Sequence, residues 1–197
     1  MELAGKRIGF AVTGSFCTFA QILPQVKALA DAGAEVTPIL SYNASRLDTR
    51  FFKAEDFKRM LKEITGQDII DDLTRTEPIG PKKLLDLVII APCTGNTLAK
   101  LALGITDTPV LLAAKAHLRN ASPVLIAVST NDALAANAKN LGLLLNTRNL
   151  YFVPYRQDDS VKKRASIVAD MTLIPEAAAL ALEGRQMQPV MLDPKQA

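Results

Sequence analysis

Apolar residues along the chain fall into short unbroken runs that alternate with stretches of helical spacing. Residues 7–12 form the first run and end in Thr13-Gly14-Ser15, the pattern of a buried strand followed by a tight turn. Residues 16–32 carry Phe19, Ile22, Leu23, Val26, Leu29 and Ala30 at helical spacing, with Gly33 placed to stop the helix. Pro24 inside this span points to a kink or a later start. Residues 35–40 read as a second strand, with Ser41-Tyr42-Asn43 beyond its end. Residues 53–65 form an amphipathic helix with Phe57, Leu61 and Ile64 on one face, stopped by Gly66. Residues 67–83 hold Pro78, Gly80 and Pro81 and read as a long connection. Residues 85–91 are the clearest buried strand, and Pro92-Cys93-Thr94-Gly95-Asn96-Thr97 follows. Residues 97–102 and 109–117 read as helices, 123–129 as a strand ending in Thr130-Asn131-Asp132, and 133–145 as an Ala/Leu-rich helix. A short strand at 151–153, a charged loop at 156–165, a helix at 167–182 and a polar tail at 186–197 complete the chain.

Strands that are apolar without interruption are covered on both faces, as in parallel sheets. Their alternation with helices predicts a doubly wound, mostly parallel α/β sheet, a flavodoxin/Rossmann-like three-layer sandwich, in a single domain over residues 1–197. In such sheets ligands bind beyond the carboxyl ends of the strands. Four strand ends share one composition of small hydroxyl, amide and glycine residues: Thr13, Gly14 and Ser15; Ser41 and Asn43; Pro92, Cys93, Thr94, Asn96 and Thr97; Ser129 and Asn131. Any one of these loops reads equally as a set of helix caps. Four of them at one face suit a phosphate monoester, because free backbone N–H groups and hydroxyls converge there. No GxGxxG or GxxxxGK[ST] pattern occurs, so a mononucleotide or flavin mononucleotide (FMN) fits better than NAD or ATP.

Composition narrows the reading further. Of 197 residues, 49% are hydrophobic and 22% charged, which excludes a largely disordered chain. The net charge of +3 is too small and dispersed to argue for nucleic acid as a partner. Cys17 and Cys93 form neither a disulfide framework nor a CxxC pair, which fits a reduced, cytoplasmic compartment. The N-terminal stretch lacks the apolar core of a signal peptide, and no apolar run approaches the ~20 residues of a membrane span. One histidine and two distant cysteines offer no zinc site, and Asp71-Asp72 and Asp158-Asp159 read as solvated loop charge, so no metal is expected. His117 is the one candidate imidazole base, and its place near a helix end favours a structural role. Cys93 reads as a packed thiol rather than a nucleophile.

The motif residues carry a resemblance. Thr13-Gly14-Ser15, together with Ala91-Pro92-Cys93-Thr94-Gly95-Asn96-Thr97 and the later Asn131, resembles the flavoprotein family of FMN-binding cysteine decarboxylases and flavin prenyltransferases. Within it, Glu77-Pro78-Ile79-Gly80-Pro81, Phe152-Val153-Pro154-Tyr155, Gln157-Asp158-Asp159 and Val168-Ala169-Asp170-Met171 resemble a branch that forms dipicolinate in sporulating bacteria. The resemblance implies FMN as a cofactor and oxidation of dihydrodipicolinate, a small dicarboxylate, in the mother-cell cytoplasm. It also implies a separate partner subunit resembling an NADP-dependent dehydrogenase, and a homo-oligomer, trimer or dodecamer. A dicarboxylate favours forked cationic contacts, for which Lys115, Arg119 and Arg156 are candidates. No residue is assigned as catalytic. Where decarboxylase relatives carry a histidine base this chain has Pro78, so their chemistry is not expected. Two classes stay open: an oxidoreductase subunit with FMN, and a non-catalytic partner of the dehydrogenase-like protein. A decarboxylase-type flavoprotein remains a third.

Overall fold

A computed structural model describes residues 3–193. Residues 1–2, part of the N-terminal reading, and 194–197, the end of the polar tail, lie outside the described residues. Strand β1 (Arg7–Val12) leads through a 3-10 turn (Phe16–Thr18) into helix α1 (Phe19–Asp31). Pro24 stays inside α1, whose Ile22, Val26 and Leu29 are fully buried against the sheet. Strand β2 (Glu35–Leu40) is followed by a short helix α2 (Tyr42–Arg46), then α3 (Ala54–Thr65), which ends on Gly66 in the left-handed conformation at φ 65°. The long connection contains the single turn α4 (Leu73–Thr76), capped by Asp72, and a 3-10 turn (Glu77–Ile79). Strand β3 (Leu87–Cys93), buried along its whole length, precedes α5 (Gly95–Ala102) and α6 (Pro109–Arg119). Strand β4 (Val124–Thr130), α7 (Ala138–Leu145) and β5 (Leu150–Phe152) come next. The chain closes with β6 (Tyr155–Asp159), β7 (Lys163–Ala169) and α8 (Ile174–Leu182).

These strands form one seven-stranded sheet in the order β2-β1-β3-β4-β7-β6, with β5 also pairing β4. The β1–β2, β1–β3, β3–β4 and β4–β5 ladders are parallel, so the sheet is mostly parallel. Helices α1, α3 and α8 pack together on one face and α5, α6 and α7 on the other, giving three layers. The apolar runs form buried strands because each is covered on both faces, which removes water from nearly all their apolar side chains. Under α1 and α3, the rings of Phe19 and Phe57 stack with centroids 4.2 Å apart, and Phe52 closes the cluster 5.7 Å from Phe57. Among the described residues no helix is long and apolar enough to cross a membrane.

Three sequence expectations are corrected. The charged loop at 156–165 is an antiparallel hairpin of β6 and β7, and β7 pairs with the tip of β4 through Ser129–Val168 and Thr130–Ile167. Its turn is held by the Asp159 carboxylate, which accepts from the N–H groups of Val161 and Lys162 at 2.9 and 2.8 Å. The expected helix from 167 therefore starts only at Ile174, because Ile167 and Ala169 bury their side chains from a strand. The expected helix from 133 starts at Ala138, because Asp132 organises a turn before it. The described part of the tail is tied down: the Gln186 side chain accepts from Phe152 N–H and donates to Phe152 C=O, and Met191 pairs beside Tyr155.

Candidate functional site

The carboxyl ends of β1, β3 and β4 open into one cavity of about 740 Å³. Six of the twelve strand-end candidates line it: Gly14, Ser15, Thr94, Asn96, Ser129 and Asn131. The others stand behind or beside it. Thr13 is buried and clips two strands together, its hydroxyl donating to Pro92 C=O at 2.7 Å and accepting from Thr94 N–H at 3.0 Å. Thr97 is buried, and its hydroxyl meets that of Thr94 at 3.0 Å. Ser41 caps α2 by accepting from Ala44 N–H, and Asn43 lies beside Gly14 without lining the cavity. Cys93 is fully buried in the core, and that burial pushes its thiol strongly upward, so it is an inert packed side chain.

The substrate candidates read from the sequence are not brought to this cavity. Lys115 and Arg119 sit on α6, whose last turn lies near Asp86 at the start of β3, the opposite pole of the sheet. Arg156 is drawn into an ion pair with Asp170 at 3.0 Å and does not line the cavity. In their place stand Arg50 and Lys163, neither of which the sequence reading singled out. Lys163 arrives with the hairpin and bonds Asp158 at 2.6 Å. Arg50 comes from the loop between α2 and α3, a position that no motif marks. Cys17 is exposed in the cavity, its Sγ 3.9 Å from the Ser15 hydroxyl.

Hydrogen bonds fix the walls. The hydroxyls of Ser15 and Ser129 meet at 2.9 Å, joining the tips of β1 and β4. In such a pair one hydroxyl spends its proton on the other, which leaves one O–H free for a ligand. Asp132 accepts from the Thr130 hydroxyl at 2.6 Å and from the Asn137 amide at 2.7 Å, and Asn137 in turn accepts from Asn140 at 2.8 Å. This polar cluster rests on the Cα of Gly95, where a Cβ would stand 2.5 Å from Thr130 Oγ1. The acidic pairs that could have held a cation are occupied elsewhere: Asp71 faces Lys58 at 3.5 Å and Asp72 caps α4.

His117 is far from this chemistry. It is buried, its Nε2 has no hydrogen-bond partner among the described residues, and burial holds its imidazole below the ordinary histidine range against the opposing pull of Asp86. A histidine with a depressed folded value contributes stability that is present above its unfolded value, near 6.5, and lost as pH falls toward the folded value. Urea titrations between pH 8 and pH 5 are therefore expected to show an acid loss of stability that His117→Leu makes shallower. An identical slope in both proteins would refute this.

A three-layer sheet with a polar, glycine-bearing cavity at its strand tips is the architecture of doubly wound α/β proteins that bind a ligand beyond their strand ends. The family model described as Flavoprotein matches residues 1–166, and the chain belongs to that family. It is 45% identical over 192 residues to the B subunit of dipicolinate synthase from Bacillus subtilis (strain 168), an alignment covering 98% of this chain and 96% of that protein. The crystal structure of the corresponding B subunit of dipicolinate synthase from Bacillus halodurans C superposes with a TM-score of 0.91 at 44% identity, covering 98% of this chain and 99% of that one. The FMN-dependent cysteine decarboxylase SpaF shares the fold at a TM-score of 0.68 and 22% identity, covering 91% of this chain and 98% of that chain.

The cavity suits a flavin mononucleotide on its own chemistry. Its volume falls in the range of small-molecule sites, about 300–1,000 Å³. Its wall carries hydroxyls and the exposed amides of Asn96 and Asn131, neither of which makes a side-chain hydrogen bond among the described residues. Neutral donors beside a helix start are what a phosphate and a polar ring edge require.

Proposed function

We propose that this chain acts as the B subunit of a dipicolinate synthase. With the synthase's A subunit, which uses NADP, it takes part in oxidising dihydrodipicolinate to dipicolinate in the mother-cell cytoplasm of a sporulating bacterium. The observation that carries this reading is the 45% identity to the Bacillus subtilis protein over nearly the full length of both chains. Family membership and the FMN-dependent relative support FMN as the cofactor, which when bound supplies a hydride acceptor. The protein's own part is to seat and orient. Gly14, Ser15, Thr94, Asn96, Ser129 and Asn131, which line the cavity, would hold the phosphate and the polar edge of the ring. Thr13 and Pro92 tie the tips of β1 and β3 together behind them, and Thr97 steadies the Thr94 hydroxyl. Ser41, Asn43 and Cys93 take no part in direct contact on this reading. The chain works as a homo-oligomer, a trimer or dodecamer.

One observation keeps a second reading in play, that of a non-catalytic partner of the dehydrogenase-like protein. The cavity's two carboxylates, Asp132 and Asp158, are both engaged by neighbours, and the chain's one histidine lies at the opposite pole. A decarboxylase role is disfavoured, since the resemblance implies a histidine base where this chain has Pro78, in a 3-10 turn.

The test is dipicolinate formation by the dehydrogenase-like partner on its own, by this chain on its own and by the two together, with and without FMN. The expected result is a yellow protein, or one turned yellow by FMN, and turnover that needs both proteins and FMN. Turnover by the pair that ignores FMN would favour the partner reading. No dependence on this chain would overturn both.

A further inference from the structure

Among the described residues two cations line the cavity, and one of them is free of an ion pair. Lys163 is held by Asp158. Arg50 has no carboxylate within ion-pair distance among the described residues, and its guanidinium lies over the Phe51 ring, 4.8 Å from the centroid. Both side chains are exposed, yet the loop that carries them is firmly held. The Thr49 hydroxyl accepts from the N–H groups of Phe51 and Phe52 at 3.2 and 3.3 Å. Thr49 N–H donates to Phe52 C=O at 2.9 Å, and the Asp48 carboxylate accepts from Ala54 N–H at 2.9 Å. Phe52 anchors the loop in the aromatic cluster, 5.7 Å from Phe57 and 6.1 Å from Phe19. A fixed backbone thus presents an unpaired cation to the cavity, and stacking on Phe51 restrains the plane of that cation.

We propose that Arg50 is the anchor for one carboxylate of the substrate, gripping it through its forked N–H donors. A planar guanidinium matches a carboxylate in two parallel hydrogen bonds, and restraining it beforehand lowers the entropy lost on binding. An unpaired cation in a cavity whose own carboxylates are already bonded is the group left over for an incoming anion. Two anions could fill the role, the substrate carboxylate and the phosphate of FMN. The carboxylate is favoured because hydroxyls and helix starts at the strand tips already suit the phosphate, whereas Arg50 stands apart from them on the α2–α3 loop. The inference rests on the dicarboxylate reading of the site and names the residue that selects for it.

The experiment titrates dipicolinate and picolinate, which lacks the second carboxylate, into wild type, Arg50→Ala and Arg50→Lys, each saturated with FMN. Wild type is expected to prefer dipicolinate. Arg50→Ala should weaken dipicolinate by about 10- to 100-fold and picolinate by less than about 3-fold, and Arg50→Lys should fall between, because a charged hydrogen-bonded pair is lost in one case and only its fork in the other. Melting temperature and FMN affinity should stay at wild-type values. Dipicolinate binding undiminished in Arg50→Ala overturns the inference and leaves the dicarboxylate reading standing. Weaker binding of FMN but not of riboflavin in Arg50→Ala assigns the guanidinium to the phosphate instead, which also overturns it. Wild type that binds neither acid sinks the dicarboxylate reading, and the anchor with it.

Discussion

Thr13→Val is expected to destabilise the protein by about 2–6 kcal/mol, because it orphans two backbone groups at once, at about 1–3 kcal/mol each. The Thr13 hydroxyl donates to the buried Pro92 carbonyl and accepts from Thr94 N–H, so one side chain satisfies both flanks of the β3 tip. Valine has nearly the same shape and can do neither. For a chain of this size, at about 2–4 °C per kcal/mol, the loss corresponds to roughly 4–24 °C in melting temperature. Thr13→Ser keeps the hydroxyl and should retain most of the stability. The same change to valine should weaken FMN binding, since Thr94 and Asn96 line the cavity directly beyond the clip. Thermal melts of the three proteins with and without FMN check the claim. A valine variant melting within about 2 °C of wild type would show that the clip carries no weight.

Gly95→Ala is expected to damage the site more selectively. A Cβ there would stand 2.5 Å from Thr130 Oγ1, 2.6 Å from Asp132 Oδ1 and 2.7 Å from Asn137 Nδ2. These atoms are themselves locked by short hydrogen bonds, so they cannot yield without breaking the network that shapes the β4 tip. Overpacking of this kind costs about 1–3 kcal/mol. Affinity for FMN should fall at least about tenfold, because Thr130 and Asp132 form part of the cavity wall; a tenfold loss corresponds to about 1.4 kcal/mol. Gly142→Ala is the control, with nothing within 4 Å of its Cβ in α7, and should be neutral or stabilising by up to about 1 kcal/mol. Flavin fluorescence titrations and urea melts on both variants decide the matter. Equal behaviour of the two alanines would refute the steric account.

Where the apolar runs are long and unbroken, pattern and structure agree. Residues 7–12, 35–40 and the strand from 87 are parallel neighbours, as expected of largely buried strands covered on both faces. The hairpin is hidden in the sequence because β6 and the start of β7 are rich in charge, and because Ile167, Val168 and Ala169 fit a helical pattern as well as a strand. Only the unpaired flank of the β4 tip, offering hydrogen bonds to a partner, settles those residues as a strand. Helix α2 escapes notice because five residues carry too little periodicity to register.

The site divides along the same line. Local pattern determined that small polar residues follow the strands, because parallel strands must end in turns and helix starts that need glycines and capping hydroxyls. Tertiary structure alone decided which of these residues face the cavity and which hold its walls: Ser129 meets Ser15 across 114 positions, and Thr13 meets Thr94 across 81. It also decided which cations line the cavity: Arg50 and Lys163 do, whereas Lys115, Arg119 and Arg156 do not. Charge is visible in a sequence, but whether a charge is already neutralised depends on neighbours far away along the chain, and those are set only by the fold.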